Sequence, residues 1–166
     1  MKPAVVVDTN VAVVANGKHD GAGAKCEKAC VDALRAARRQ LILLDNSYKI
    51  FDEYRRNLAG SGQPGIGDAF FKWLWNNQAN PDHCRLIAIT PIAGSEVVYA
   101  EFPSDSDLES FHPKDRKFVA VALASKMNPE ILNASDTDWW NFRQCLARNG
   151  VRVKFLCPEL MGSRGD

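Results

Sequence analysis

A three-layer α/β/α domain on a central parallel sheet is the fold class that three features of this chain predict. Short apolar runs, Ala4-Val5-Val6-Val7 and Leu41-Ile42-Leu43-Leu44 foremost, are too brief for helices and apolar at every position, as strands covered on both faces are. Longer stretches with apolar residues at helical spacing separate them, so strand, helix, strand, helix, helix, strand, helix, strand, helix, strand follow in order. At 166 residues, 46% hydrophobic and 25% charged, the chain has the size and balance of one globular domain. Residues 1–160 are assigned to that domain and 161–166 to a flexible tail.

The first strand is cut off by Asp8-Thr9-Asn10, which places Asp8 at its carboxyl end, the edge where ligand crevices form in open α/β sheets. Asp, Thr and Asn also cap helix starts, so Asp8 alone does not distinguish a cap from a ligand. Val11, Ala12, Val13 and Val14 continue apolar, and Asn16 to Gly23 is a polar, glycine-rich loop. His19 is the loop's one side chain that titrates near neutral pH; a lone loop histidine is usually just solvated. From Ala24 to Gln40, Cys26, Ala29, Cys30, Ala33, Leu34 and Ala37 form an apolar stripe opposite Lys25, Lys28, Arg35, Arg38 and Arg39. That basic face is either merely solvated or a track for phosphates.

After the second strand, Asp45-Asn46-Ser47 supplies capping residues for a helix over Tyr48 to Ala59, with Ile50, Phe51, Tyr54 and Leu58 inward. Glu53 borders that stripe, Asp52 points away from it, and Arg55 and Arg56 follow. The next helix, Asp68 to Asn77, carries Phe70, Phe71, Trp73 and Trp75, more rings than one buried face needs, so one tryptophan is a candidate for exposure. Arg85 to Ile89 reads as a strand, Val97 to Ala100 as an extension of one, and Pro103 to Asp107 as a loop with its acids in water.

At His112-Pro113-Lys114-Asp115 a helix begins, proline suiting its first position, and Asp115 heads the face shared by Phe118, Val119, Ala122 and Lys126. The dipole of that helix stabilises a first-turn carboxylate by ~0.3–1 kcal/mol, which keeps it ready to hold a cation. Ile131 to Ser135 is a short strand, and Asp136 follows it as Asp8 follows the first. A helix then runs to Asn149-Gly150, and Val151 to Leu156 alternates apolar and basic like an edge strand.

A net charge of +1 leaves partners undecided. Five cysteines without a C-x-x-C pair argue for reduced core thiols and against a disulfide framework or zinc knuckle. The opening Met1-Lys2-Pro3, with an apolar run broken at Asp8, is expected to form neither a signal peptide nor a membrane span, and a cytoplasmic location follows by default.

Val5-Val6-Val7-Asp8-Thr9-Asn10, Glu53 in Asp52-Glu53-Tyr54-Arg55-Arg56, Asp115 opening its helix, and Ser135-Asp136-Thr137-Asp138-Trp139 together resemble the PIN domain family of metal-dependent nucleases. The resemblance spans most of the chain; 60–80 and 90–111 match least. It implies a PIN-like parallel sheet with an acidic pocket at its carboxyl edge, where Asp8, Glu53, Asp115 and Asp136 bind one or two Mg²⁺ or Mn²⁺ ions, with Asp138 auxiliary. Thr9 and Asn10 match residues that orient the first aspartate or a water. The implied activity is endoribonuclease cleavage of single-stranded RNA, Arg38, Arg39, Arg55, Arg56, Lys114, Arg116 and Lys117 being candidates for gripping phosphates. Relatives of that kind include toxins of toxin-antitoxin pairs, which implies a small antitoxin protein as partner, and homodimers.

Charge arithmetic agrees with the resemblance. Two like charges 4 Å apart repel by ~4 kcal/mol at an effective dielectric near 20, so four ionised acids in one place need protons or cations. Oxygen-only ligands without a neighbouring His or Cys select Mg²⁺ or Mn²⁺ over zinc. Two other readings use the same residues: a non-catalytic PIN-like RNA-binding or protein-interaction module, and a metal-dependent phosphatase.

Overall fold

The computed structural model describes residues 2–17 and 21–161. His19 lies outside them. Five strands, β1 (Ala4–Val7), β2 (Leu41–Asp45), β3 (Cys84–Ile87), β4 (Glu130–Asn133) and β5 (Arg152–Phe155), form one sheet in the order β3-β2-β1-β4-β5, every pair parallel. Seven α-helices flank it among the described residues: α1 (Thr9–Ala15), α2 (Gly23–Ala37), α3 (Lys49–Asn57), α4 (Ile66–Asn77), α5 (Arg116–Ser125), α6 (Thr137–Asn141) and α7 (Arg143–Arg148). Parallel crossovers are right-handed, so helices reached while the chain steps from β1 to β3 cover one face and those reached on the way to β5 cover the other. The three-layer arrangement expected from the apolar runs is the one observed.

β1 and β2 occupy the interior of the sheet because their β-branched and leucine side chains are buried on both faces; Val5, Val6, Val7 and all five residues of β2 are buried. β5 alternates exposed Arg152 and Lys154 with half-buried Val153 and Phe155, and charges of that kind on an edge discourage further pairing. The chain leaves β1 toward β2 but leaves β4 toward β5 on the opposite side. A crevice therefore opens between the carboxyl ends of β1 and β4, and Asp8 and Asp136 flank it.

The layer beside β1 is held by a close approach of α1 and α4. A Cβ on Gly67 would come within 2.0 Å of the Ala12 carbonyl oxygen, so only glycine fits there. Next to it Asn16 and Asp68 exchange two hydrogen bonds of 3.0 Å, and the buried Asp68 carboxylate also accepts from the backbone N–H groups of Ala59 and Gly65.

Several expectations are corrected. Cys26 and Cys157 form a disulfide across 131 positions, leaving Cys30, Cys84 and Cys145 as free, buried thiols. Local cysteine spacing carries no information about a pairing made only when α2 meets the segment after β5. Met161, assigned to the tail, is fully buried, because the turn over Pro158–Leu160 folds it inward; 162–166 lie outside the described residues. Asp105 is not simply in water: it accepts from Arg148 at 2.6 Å and Asn149 at 2.9 Å at the end of α7, which holds its carboxyl well below the usual range. Val97–Ala100 contributes one isolated antiparallel bridge, Pro91 to Tyr99, and no strand. The run from Val11 to Val14 forms α1, and the stretch after Asp136 is two short helices. No helix among the described residues is long and apolar enough to cross a membrane.

Gly67→Ala is expected to destabilise the protein by about 1–3 kcal/mol, since backbone and not a flexible side chain must yield. Urea unfolding checks it; an unchanged midpoint would mean that α1 and α4 are free to separate.

Candidate metal centre

The end of β1 is pinned by the Asp8 N–H donating to the Leu132 carbonyl on β4 at 3.0 Å. Asp8 is then the N-cap of α1, its Oδ1 accepting from the Asn10 N–H at 3.0 Å. Its other oxygen, Oδ2, is buried and has no hydrogen-bond donor among the described residues, and the residue as a whole is 4% exposed. Capping therefore uses half of the carboxylate and leaves the other half without a protein donor, open to a proton, a water or a cation.

Glu53 is brought up by α3. The Asp45 carboxylate starts that helix by accepting from the N–H groups of Lys49 and Ile50, both at 2.9 Å, and the Tyr54 hydroxyl ties it to the Val7 carbonyl. Both oxygens of Glu53 are engaged: the Thr9 hydroxyl donates to Oε2, and the Lys117 ammonium donates to Oε1 at 2.7 Å. The pair is well shielded, with side-chain exposures of 8% for Lys117 and 14% for Glu53, and Lys117 also donates to the Lys114 carbonyl.

Asp115 closes a short 3-10 turn over Pro113–Asp115 and leads into α5. Asp136 caps α6, accepting from the Asp138 N–H at 2.9 Å, and its own N–H donates to Asn133 Oδ1 at 3.0 Å. Asn10 holds the same loop by accepting from the Ala134 N–H at 3.0 Å. The Thr9 hydroxyl thus holds Glu53 and the Asn10 side chain holds the β4 loop, while the Asn10 N–H supports Asp8 Oδ1. Asp138 accepts from the His112 N–H at 3.3 Å.

Part of this set shares a cleft. Asp8, Thr9, Asn10, Glu53 and Asp136 line one cleft with Val13, Asn57, Arg56 and Lys114. Asp115 reaches it electrostatically. Burial, then the negative charges of Asp115, Glu53 and Asp136, push the Asp8 carboxyl well up against the opposing Asn10 N–H. Burial and the charges of Asp136 and Glu53 push Asp115 up to about 7, with Lys117 working the other way. Asp136 is raised mainly by burial, and His112 counters it. A histidine is therefore close to the acids, contrary to the reading that none is.

Of the seven candidate phosphate cations, Arg56 and Lys114 stand at the cleft. Lys117 is buried against Glu53 and unavailable to substrate. Arg55 pairs with Asp52 and lies over Trp75, the ring left 41% exposed. Arg116 is tied to the carbonyls of Glu109 and Phe111. Arg38, stacked over Trp73, and Arg39 sit where α2 ends just before β2 begins, at the opposite edge of the sheet from Asp8. Sequence reasoning missed Lys117 as a partner of Glu53. Its signal was a lysine opening a helix whose next residues, Phe118 to Ala122, are apolar throughout, leaving no solvated side for it. Among the described residues, the groups of three or more possible ligands whose atoms all lie within 4.8 Å of one another are Cys26, Cys30 and Cys157, two of them joined as a disulfide, and Asp105, Asp107 and Cys145, whose two acids Arg148 already pairs with; Asp8, Glu53, Asp115 and Asp136 do not form so close a group.

Asp115 keeps its proton to about 7 when folded and releases it near 4 when unfolded. The folded state thus binds more protons between those values, and that contribution to stability is lost as pH rises through about 7. In EDTA the protein is expected to be less stable at pH 8 than at pH 5, with Asp115→Asn flattening the difference. Chemical unfolding at the two pH values checks this, and stability rising with pH in the wild type alone would contradict it. The chain matches no family model, no curated protein and no solved structure.

Proposed function

We propose that the protein is a Mg²⁺- or Mn²⁺-dependent endoribonuclease that hydrolyses phosphodiester bonds of single-stranded RNA, as its resemblance to the PIN domain family implies. The observation that carries the reading is Asp8 Oδ2, a carboxylate oxygen buried without a donor among further carboxylates. Oxygen donors of the kind a hard cation takes line the cleft on Asp8, Glu53 and Asp136, and the charge of Asp115 acts on Asp8 from beside it, a field that a divalent ion would relieve. Such an ion supplies charge stabilisation at phosphorus and a more acidic water.

The chain's own residues do the rest. Asn10 and Asn133 fix the loop that carries Asp136, and Asp45 and Tyr54 fix α3 with Glu53. Arg56 and Lys114 put positive charge on the rim of an otherwise negative cleft, so a polyanion meets cations before it meets the acids. Water adds to phosphorus and gives up a proton to solvent, the phosphorus–oxygen bond to the leaving ribose oxygen breaks, and that oxygen takes up a proton from solvent.

Incubation of a mixed RNA strand and a DNA strand with Mg²⁺ or Mn²⁺ tests the reading. Wild-type protein should cleave RNA, Asp8→Asn should be at least about 100-fold slower, and Arg56→Ala with Lys114→Ala should raise KM while Arg38→Ala leaves it unchanged. No cleavage by the wild type, or equal cleavage by Asp8→Asn, would overturn it.

A further inference from the structure

Arg56 and Lys114 belong to two hollows at once. Besides the acidic cleft they line a cavity of about 310 Å³ between the first turn of α3 and the loop 96–99, a volume within the range of small-ligand sites. Lys49, Glu96, Val97 and Tyr99 form the wall that the cleft does not share. Asp52 and Lys117 also line the cavity, but their charges are spent on Arg55 and Glu53, whereas Lys49, Arg56, Lys114 and Glu96 take part in no ion pair among the described residues. The wall is braced. The Glu96 carbonyl accepts from the Lys49 ammonium and from the Tyr99 hydroxyl, both at 3.0 Å, and Ser95 Oγ accepts from the N–H groups of Val97 and Val98 at 3.2 and 3.1 Å. Val97 is left 38% exposed on that fixed loop, an apolar side chain turned to water. The loop falls within 90–111, which the resemblance matches least, so a PIN-like pocket does not account for it.

Uncompensated cations, an exposed apolar side chain and one unpaired carboxylate match the three parts of a nucleotide: its phosphate, the flat face of its base and the donors on the edge of that base. Resting on the ribonuclease reading above, we propose that this cavity is the subsite for the nucleotide next to the scissile phosphate. Lys49 joins Arg56 and Lys114 on the backbone phosphates, Val97 lies against the base, and the Glu96 carboxylate accepts a hydrogen bond from a base amino group. Glu96 thereby makes the subsite selective. Where cytosine carries its amino group uracil carries a carbonyl, and an acceptor facing a carboxylate is left unpaired.

Fluorescence anisotropy of short labelled oligo(C) and oligo(U) with the Asp8→Asn protein, which leaves the strands uncut, reads the subsite apart from cleavage. Should Asp8→Asn not fold, the wild type in EDTA gives the same comparisons. Oligo(C) should bind about tenfold tighter than oligo(U), and Glu96→Gln should bring that ratio below about twofold. Val97→Asp should weaken both strands by at least about tenfold, since it sets a negative charge against the phosphates. Lys49→Ala should weaken both and reduce the slope of log K against log salt by about 0.7, the share of one phosphate on a single strand, which a merely structural role would leave alone. A salt slope unmoved by Lys49→Ala and a ratio unmoved by Glu96→Gln, beside metal-dependent cleavage by the wild type, would overturn the subsite and leave the nuclease reading intact. The expected shifts without cleavage would uphold the nucleotide site and overturn the nuclease reading. No binding of either strand would overturn the subsite, and no cleavage besides would overturn both.

Discussion

Like charges forced together out of water are the constraint around which this molecule is arranged. Burial alone disfavours an ionised carboxyl, and each neighbouring acid adds to the cost, so Asp8, Asp115 and Asp136 are all displaced toward holding protons. The fold answers with local devices at each position. Asn10 N–H supports one oxygen of Asp8, Asp138 N–H supports Asp136, and an ammonium stands against Glu53. What these devices leave over is Asp8 Oδ2, buried without a hydrogen-bond donor among the described residues. The other buried acids, Asp45 and Asp68, are satisfied by backbone N–H groups, so Asp8 is the buried acid left with an oxygen that has no donor among the described residues.

The rest of the architecture serves to hold that crevice open. Strand order places the ends of β1 and β4 side by side while their connections diverge, and the glycine contact of α1 with α4 seats the helix that Asp8 caps. α3 and α5 approach one another over the same edge, joined by the Glu53 to Lys117 ion pair. Truncating one partner of a shielded pair leaves the other charge stranded, which is why the pair ties two layers together more firmly than an exposed one would. The exposed pairs, Lys28 with Asp32 and Arg55 with Asp52, have no comparable leverage.

Much of this was legible before any coordinates. Apolar runs located the interior strands because full burial on both faces leaves an unbroken signature, and strand ends located Asp8 and Asp136 because parallel topology places them on one edge. Glu53 and Asp115 were legible as acids bordering inward stripes. Which cations matter was not legible: Arg38 and Lys117 look alike in a list of basic residues, and only the direction in which each helix runs separates a far edge from a buried partner. The Cys26–Cys157 bond and the burial of Met161 likewise depend on contacts between distant segments, which no local pattern encodes.

The central claim is that the oxygen left bare on Asp8 is a cation ligand. A crystal grown with Mn²⁺ and measured at an anomalous wavelength addresses it most directly. The account predicts a strong peak in coordination range, about 2.1 Å, of Asp8 Oδ2. A map with no peak beside Asp8, or with its only peak at Asp105 and Asp107, would contradict it.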